Sequence, residues 1–331
     1  MVHVGAHLSA AACELAYPVT HLDSRDAFAG NDLIRKLNWH LRGHRPIGLR
    51  EFSDRLVETC REQQPQCMLA TGLAPIAAGA LREIGRLGTV RVNYLTDDPW
   101  NPAHGAPWFM DALRQYDWIF STRTSNIADL ERHGCPRVSY LPFGYAPAFH
   151  YGDPPRTSEE ESRFATDVVF AGGADRDRIP VMTALIREGF TVGLYGGYWD
   201  RHSVTRQAAR GHADSATLRK AIRGAKVALC LVRRANRDGS AMRTFEVAAI
   251  GACMLAEYSE EHREILGEDG DAVVYFRSPQ ELIARLRWLL AHDEERLRLG
   301  TTVRTRITSG QHTYKDRLQT MLAVSMTTSR S

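Results

Sequence analysis

A short apolar run that ends in a polar or glycine-containing loop, followed by a helical stretch, recurs through most of this chain. Near-continuous apolar runs are the mark of strands buried on both faces, and a helix must carry the chain back before the next parallel strand can pair. The recurrence therefore restricts the fold to the α/β class, with parallel sheets covered by helices. In the first half, strands are expected over 67–71, 89–95, 118–121 and 138–141, with helices over 51–63, 75–87, 107–115 and 125–133. The stretch 142–162 is rich in Pro, Gly, Ser and acid with little periodicity, which marks a linker. A second alternation follows, with strands over 167–171, 191–195, 227–232, 252–257 and 273–276. Its helices are expected over 179–188, 215–223, the residues leading to Gly251, and 279–290, before two last helical stretches.

The beginning is less regular. Residues 1–5 read as a very short strand, 8–15 as an Ala-rich helix and 18–23 as a second strand. That spacing is compressed for a βαβ unit, which normally needs ~30 residues. The organisation expected is two Rossmann-like parallel-sheet domains facing a cleft: 1–150, then 151–312, with 313–331 as a C-terminal helix packing back on the first domain.

A chain of 331 residues is long enough for two such domains. Its 42 basic and 39 acidic residues leave a formal charge of only +3, which gives no support for nucleic-acid binding driven by bulk charge. Six scattered cysteines without a C-x-x-C pair read as incidental thiols of a reducing compartment, and His spacing offers no metal site. No window approaches the ~18–20 apolar residues of a membrane span. No basic flank followed by a long apolar core opens the chain, so the cytoplasm is the expected location, with peripheral membrane contact left open.

The chemistry concentrates in 227–257. A loop containing Asn236, Asp238 and Gly239 lies at the carboxyl end of one strand and the amino end of a helix, where open α/β sheets bind ligands and free N–H groups favour an anion. Arg243 in the first turn of that helix is unfavourable for a cation unless it faces a negative group such as a diphosphate. Glu246, three residues on, is placed to accept both hydroxyls of a ribose, with Asp238 flanking the same sugar. The plainer reading is a surface salt bridge between Arg243 and Glu246.

Gly172-Gly173 directly after a strand allows close approach of a diphosphate, with Arg176 or Arg178 to meet its charge. Gly196-Gly197-Tyr198-Trp199 ends the next strand, where an aromatic such as Tyr198 is a candidate stacking partner for a nucleobase, or both aromatics are core or lid packing. Of Arg233 and Arg234, neighbours on opposite faces, at most one reaches the ligand. In the first domain Asp97-Asp98-Pro99 ends a strand, so the acid pair is a candidate general base for an acceptor hydroxyl. The alternatives are an Asx turn or a helix cap.

Arg243-Thr244-Phe245-Glu246, Ala249-Ile250-Gly251, Met254-Leu255-Ala256-Glu257 and Glu261-His262 resemble the donor-binding core of CgeB-like (spore-maturation-protein-type) glycosyltransferases. The likeness runs on through Phe276, Glu281-Leu282 and His312-Thr313-Tyr314 with Arg317, and reaches back to Asp97-Asp98-Pro99 and 116–149. It implies the two-domain GT-B architecture, a donor diphosphate facing the Gly172–Gly173 loop and its Arg, and His262 near the sugar or diphosphate. His104, His150 and His202 are lesser candidates for a base. The function expected is metal-independent transfer of a sugar from a nucleotide-diphosphate sugar to an unidentified acceptor, with no cofactor beyond that substrate. A sugar-nucleotide epimerase of the same double fold and a non-catalytic nucleotide-sugar-binding protein are the competing readings. An NAD-dependent dehydrogenase is disfavoured, because no G-x-G-x-x-G follows a strand at either domain start.

Overall fold

The computed structural model describes residues 4–30, 38 and 41–327. They fall into two compact units. The N-terminal unit takes the described residues up to Pro142, the three residues Ala235–Arg237, and the described residues from Lys315 onward. The C-terminal unit takes Phe143–Arg234 and Asp238–Tyr314.

The N-terminal unit holds a four-stranded parallel sheet of β1 (Cys67–Thr71), β2 (Val90–Leu95), β3 (Trp118–Ser121) and β4 (Val138–Tyr140), in that order. Its core joins Leu81, Ile84, Leu95, Phe109, Leu113, Tyr116, Ile119 and Leu130, all wholly buried. The helix Leu49–Gln63 shows why the pattern was readable: Leu49, Phe52, Leu56 and Cys60 recur at helical spacing and are its buried face.

The opening differs from the sequence reading. Val4 and Gly5 begin a helix, Val4–Glu14, rather than a strand, and residues 18–23 form no strand. Residues 1–3 of that expected strand lie outside the described residues. Four alanines in the eleven-residue helix favour this outcome, and Asp23 instead caps a 3₁₀ turn, Ser24–Phe28, by accepting from Arg25 N.

The C-terminal unit is built on β5 (Thr166–Ala171), β6 (Val192–Tyr195), β7 (Ala225–Cys230), β8 (Met254–Glu257) and β9 (Val274–Phe276), all parallel. Their order is β6-β5-β7-β8-β9. The chain winds one way from β5 to β6 and the other way from β7 onward, so a topological switch point lies between β5 and β7. The N-terminal sheet, in order β1-β2-β3-β4, has no such reversal. Strand β7 ends two residues before the expected limit because the Val232 N–H leaves the ladder and donates to the Glu257 carboxylate, at 3.2 Å.

The expected linker is partly structured. Thr157 caps a helix, Ser158–Phe164, whose first turn carries Glu159, Glu160 and Glu161, as a helix dipole favours. Upstream, Tyr145 bridges Thr313: its N–H donates to the His312 carbonyl at 3.0 Å and its carbonyl accepts from Tyr314 N at 3.0 Å. The unit borders therefore fall at 142/143 and 314/315, where the sequence suggested 150/151 and 312/313. No helix among the described residues is long and apolar enough to cross a membrane.

Candidate donor site and acid pair

The switch point is closed by two loops, and glycine makes their approach possible. Gly172 N donates to the Tyr195 carbonyl at 2.8 Å and Ala174 N to the Gly197 carbonyl at 2.9 Å, so the loops after β5 and β6 run backbone against backbone. Gly196 sits at φ +148°, and a Cβ there would run into the Gly172 carbonyl. A Cβ on Gly172 would lie 2.9 Å from the Phe170 ring, whereas one on Gly173 meets nothing nearer than 3.6 Å. Gly173 is thus the less crowded of the two glycines, in ordinary contact with the Gly197 backbone. The Trp199 indole donates to the Gly172 carbonyl at 2.7 Å, is fully buried, and stands edge-on to Phe170. Trp199 is core. Tyr198, at φ +72° and 57% exposed, stays outside with Arg201 stacked on it at 4.3 Å.

Arginines gather at these loops. Arg178 donates to the Gly173 carbonyl at 3.3 Å, pairs with Asp175 at 3.4 Å and lies over the Phe170 ring. Burial lowers its pKa, and the nearby charge of Arg233 lowers it further. Arg233 is half-buried and has no ion-pair partner among the described residues, while its exposed neighbour Arg234 pairs with Glu257 at 2.9 Å. Arg233 is therefore the member of the pair whose charge is felt at Arg178. Arg176 is exposed.

Arg243 and Glu246 come together as the sequence suggested, but as a buried pair and not a surface one. Arg243 Nη1 donates to Glu246 Oε2, and its Nε donates to the Ala171 carbonyl at 3.3 Å, which ties the helix Met242–Ile250 to the end of β5. Glu246 is 2% exposed, and burial pushes the Arg243 pKa down to about 10, still far above neutrality. A residue that sequence reasoning ranked low completes the group: His150 Nε2 lies 3.4 Å from Glu246 Oε1. The Ala146 N–H donates to His150 Nδ1 at 3.0 Å, which leaves the neutral ring's proton on Nε2, facing the carboxylate.

His262 is placed differently from its expected role. It is wholly buried, with Nδ1 2.7 Å from the Glu257 carbonyl and Nε2 2.9 Å from Thr244 Oγ1. A carbonyl only accepts, so Nδ1 carries the proton and Nε2 accepts from the Thr244 hydroxyl. That hydroxyl in turn accepts from Ala241 N at 3.1 Å, at the start of the Arg243 helix. His262 thus positions the helix end, and offers no nitrogen to a sugar or diphosphate. Asp238 is half-buried, with its charge felt at Arg178.

Asn236 groups with the N-terminal unit, where its Oδ1 accepts from Asn101 Nδ2 at 2.6 Å and the side chain is 2% exposed. Arg237 beside it, at φ +51°, clasps Asp98: Nε to Oδ2 at 2.6 Å and Nη2 to Oδ1 at 3.0 Å. Asp98 also accepts from Trp100 N at 3.0 Å, which is the Asx turn, and is 1% exposed. Its carboxylate, through these bonds, raises the Arg237 pKa further above its ordinary value. Asp97 is the half-buried member of the acid pair, 3.3 Å from Thr96 Oγ1, and lies over Gly72 at the end of β1. Sequence reasoning passed over Arg237, although a cation between two singled-out residues was its only visible signal. Among the described residues no three His, Cys, Asp or Glu side chains converge as a metal site would require.

Residues 178–323 match the family model described as glycosyl transferase-like. The matched stretch is similar to that family over less than half of the chain. No curated protein matches it. Among solved structures, a glycosyltransferase from Rickettsia africae superposes with a TM-score of 0.66 at 9% identity, over 97% of this chain and 93% of the other. Sucrose-phosphate synthase from Thermosynechococcus elongatus gives 0.63 at 12% identity, over 86% and 79%. Anabaena HepE, solved with UDP-glucose, gives 0.59 at 14% identity, over 91% and 90%. At these identities the likeness concerns the fold alone, and the two parallel-sheet α/β units have the GT-B fold.

Proposed function

We propose that this glycosyltransferase, of the CgeB-like type, moves a sugar from a nucleotide-diphosphate sugar to an acceptor hydroxyl without a metal. The observation that carries the reading is the half-buried Arg233, beside Arg178 and without a carboxylate of its own, at the switch point of the C-terminal sheet. A diphosphate would supply the missing negative charge, approach over Gly173, and draw Arg243 and exposed Arg176 toward it. The ribose hydroxyls would then take the Oε2 side of Glu246 that Arg243 leaves, with Tyr198 beside the base and Asp238 near the sugar. The arginines would stabilise the departing diphosphate, the task a metal performs elsewhere. Asp97 is the proposed base for the acceptor, since Asp98 is committed to Arg237. HepE's complex with UDP-glucose supports the donor class.

Calorimetric titration of UDP, GDP, dTDP and CDP tests this reading, followed by product analysis with the matching nucleotide sugar. One nucleotide should bind, Arg233→Ala should weaken it about ten-fold or more, and Glu246→Ala should do likewise. Unchanged binding in both variants would overturn the assignment, and an epimerised sugar formed without acceptor would replace transfer by epimerisation.

A further inference from the structure

At the opposite edge of the C-terminal sheet from the candidate donor site, where β7 and β8 begin, lies a groove of about 730 Å³. That volume falls within the ~300–1,000 Å³ of small-molecule sites. Arg223, Lys226, Arg296 and Arg304 line it, and Asp293 is its only acidic residue. Two of the four cations are neutralised: Lys226 by Asp167 at 2.9 Å and Arg296 by Asp293 at 2.8 Å. The other two are not. Arg223 donates only to the Gly251 carbonyl, and the Arg304 guanidinium has no hydrogen-bond or carboxylate partner among the described residues. Arg304 lies across Gly251, where a side chain would press on it, and comes within ordinary contact distance of Gly152. The two guanidiniums stand close enough that the charge of Arg304 adds to burial in lowering the Arg223 pKa.

We propose that this groove is a second anion site, separate from the donor site, which binds a phosphate group between Arg223 and Arg304. Two neighbouring guanidiniums with no acid between them repel one another, and an oxyanion with several acceptor oxygens replaces that repulsion by charge-assisted hydrogen bonds. The carbonyl-capped Arg223 is held in place, while Arg304 is free to turn its fork onto the ligand. Threonines 301, 305 and 308 line the same wall and suit a small phosphorylated molecule over a bare ion.

The test is calorimetric titration of the full chain with inorganic phosphate and with glycerol 3-phosphate, at constant ionic strength, in wild type, Arg304→Ala, Arg223→Ala and Arg233→Ala. Arg304→Ala lies on an exposed helix surface, and its fold is checked by its melting curve. The expected result is a phosphate heat that weakens about ten-fold in Arg304→Ala and Arg223→Ala and persists in Arg233→Ala. Equal binding in Arg304→Ala and wild type overturns the proposal, as does a phosphate heat that disappears only with Arg233. Tighter binding of glycerol 3-phosphate than of inorganic phosphate supports an organic phosphate as the ligand. Failure here would leave the donor assignment untouched, since Arg233 and Glu246 are read out separately.

Discussion

His150 Nε2 faces Oε1 of Glu246 at 3.4 Å, with the histidine 6% and the glutamate 2% exposed. Because Ala146 N–H occupies Nδ1, the ring can donate only from the nitrogen that meets the carboxylate. Glu246 is then gripped from both sides, by His150 on one oxygen and Arg243 on the other. His150→Ala should weaken nucleotide binding by about ten-fold, the cost of one unmade bond to a buried charged group. His150→Gln, which keeps a donor near the same place, should recover part of it. Titration of both variants with the preferred nucleoside diphosphate decides the matter, and equal losses in the two would reduce His150 to packing.

The acid pair should divide its roles. Asp98 is buried and held by Arg237, so Asp98→Asn should cost about 2 kcal/mol of stability, less than a fully buried pair because Arg237 is 41% exposed. Asp97→Asn should leave the melting temperature nearly unchanged and lower kcat about 100-fold. Melting curves and turnover on the two variants check this. A stable Asp98→Asn with depressed kcat would restore Asp98 as the base.

Gly196→Ala should be costly for two reasons: φ +148° disfavours any side chain, and the Gly172 carbonyl occupies the space. A loss of about 1–3 kcal/mol is expected, together with weaker nucleotide binding as the Gly172 loop is pushed aside. Gly211→Ala serves as the control, since it shares a positive φ (+70°) but meets nothing within 4 Å. If the two variants melt alike, backbone conformation alone accounts for the effect.

Acid should weaken the fold through His262. Burial lowers its pKa below the ordinary 6.5, and its Nε2 must stay unprotonated to accept from Thr244. A group depressed in this way binds its proton more readily when unfolded. Its contribution is therefore complete above about pH 6.5 and lost as pH falls below it, at up to ~1.4 kcal/mol per pH unit. His7, also lowered by burial, acts in the same direction. Denaturant titrations between pH 7.5 and 5.5 should show a shallower pH slope in His262→Asn than in wild type. Identical slopes would remove His262 as the cause.

Much of the fold was legible because strand and helix periodicities differ, and the runs 67–71 and 118–121 coincide with β1 and β3. The opening was not, since 1–5 and 18–23 are too short for periodicity to separate strand from helix or coil. At the site, Arg243 and Glu246 were readable from one turn of a helix. His150 was not, because its partner lies 96 positions away along the chain (246 − 150) and no local spacing announces it. For Asp98 and Trp199 the plainer alternatives, an Asx turn and a core aromatic, are what the chain adopts. His262 has a different role from the one the resemblance implies, because both its nitrogens are taken, by the Glu257 carbonyl and the Thr244 hydroxyl.

The Gly172 and Gly196 loops are joined by main-chain bonds and pinned by the Trp199 indole before any substrate arrives. A cradle that is already set spends little entropy at the moment of capture, so encounter should be quick and residence should depend on the cations around it. Differences among nucleotide sugars would then register chiefly as how long each one stays.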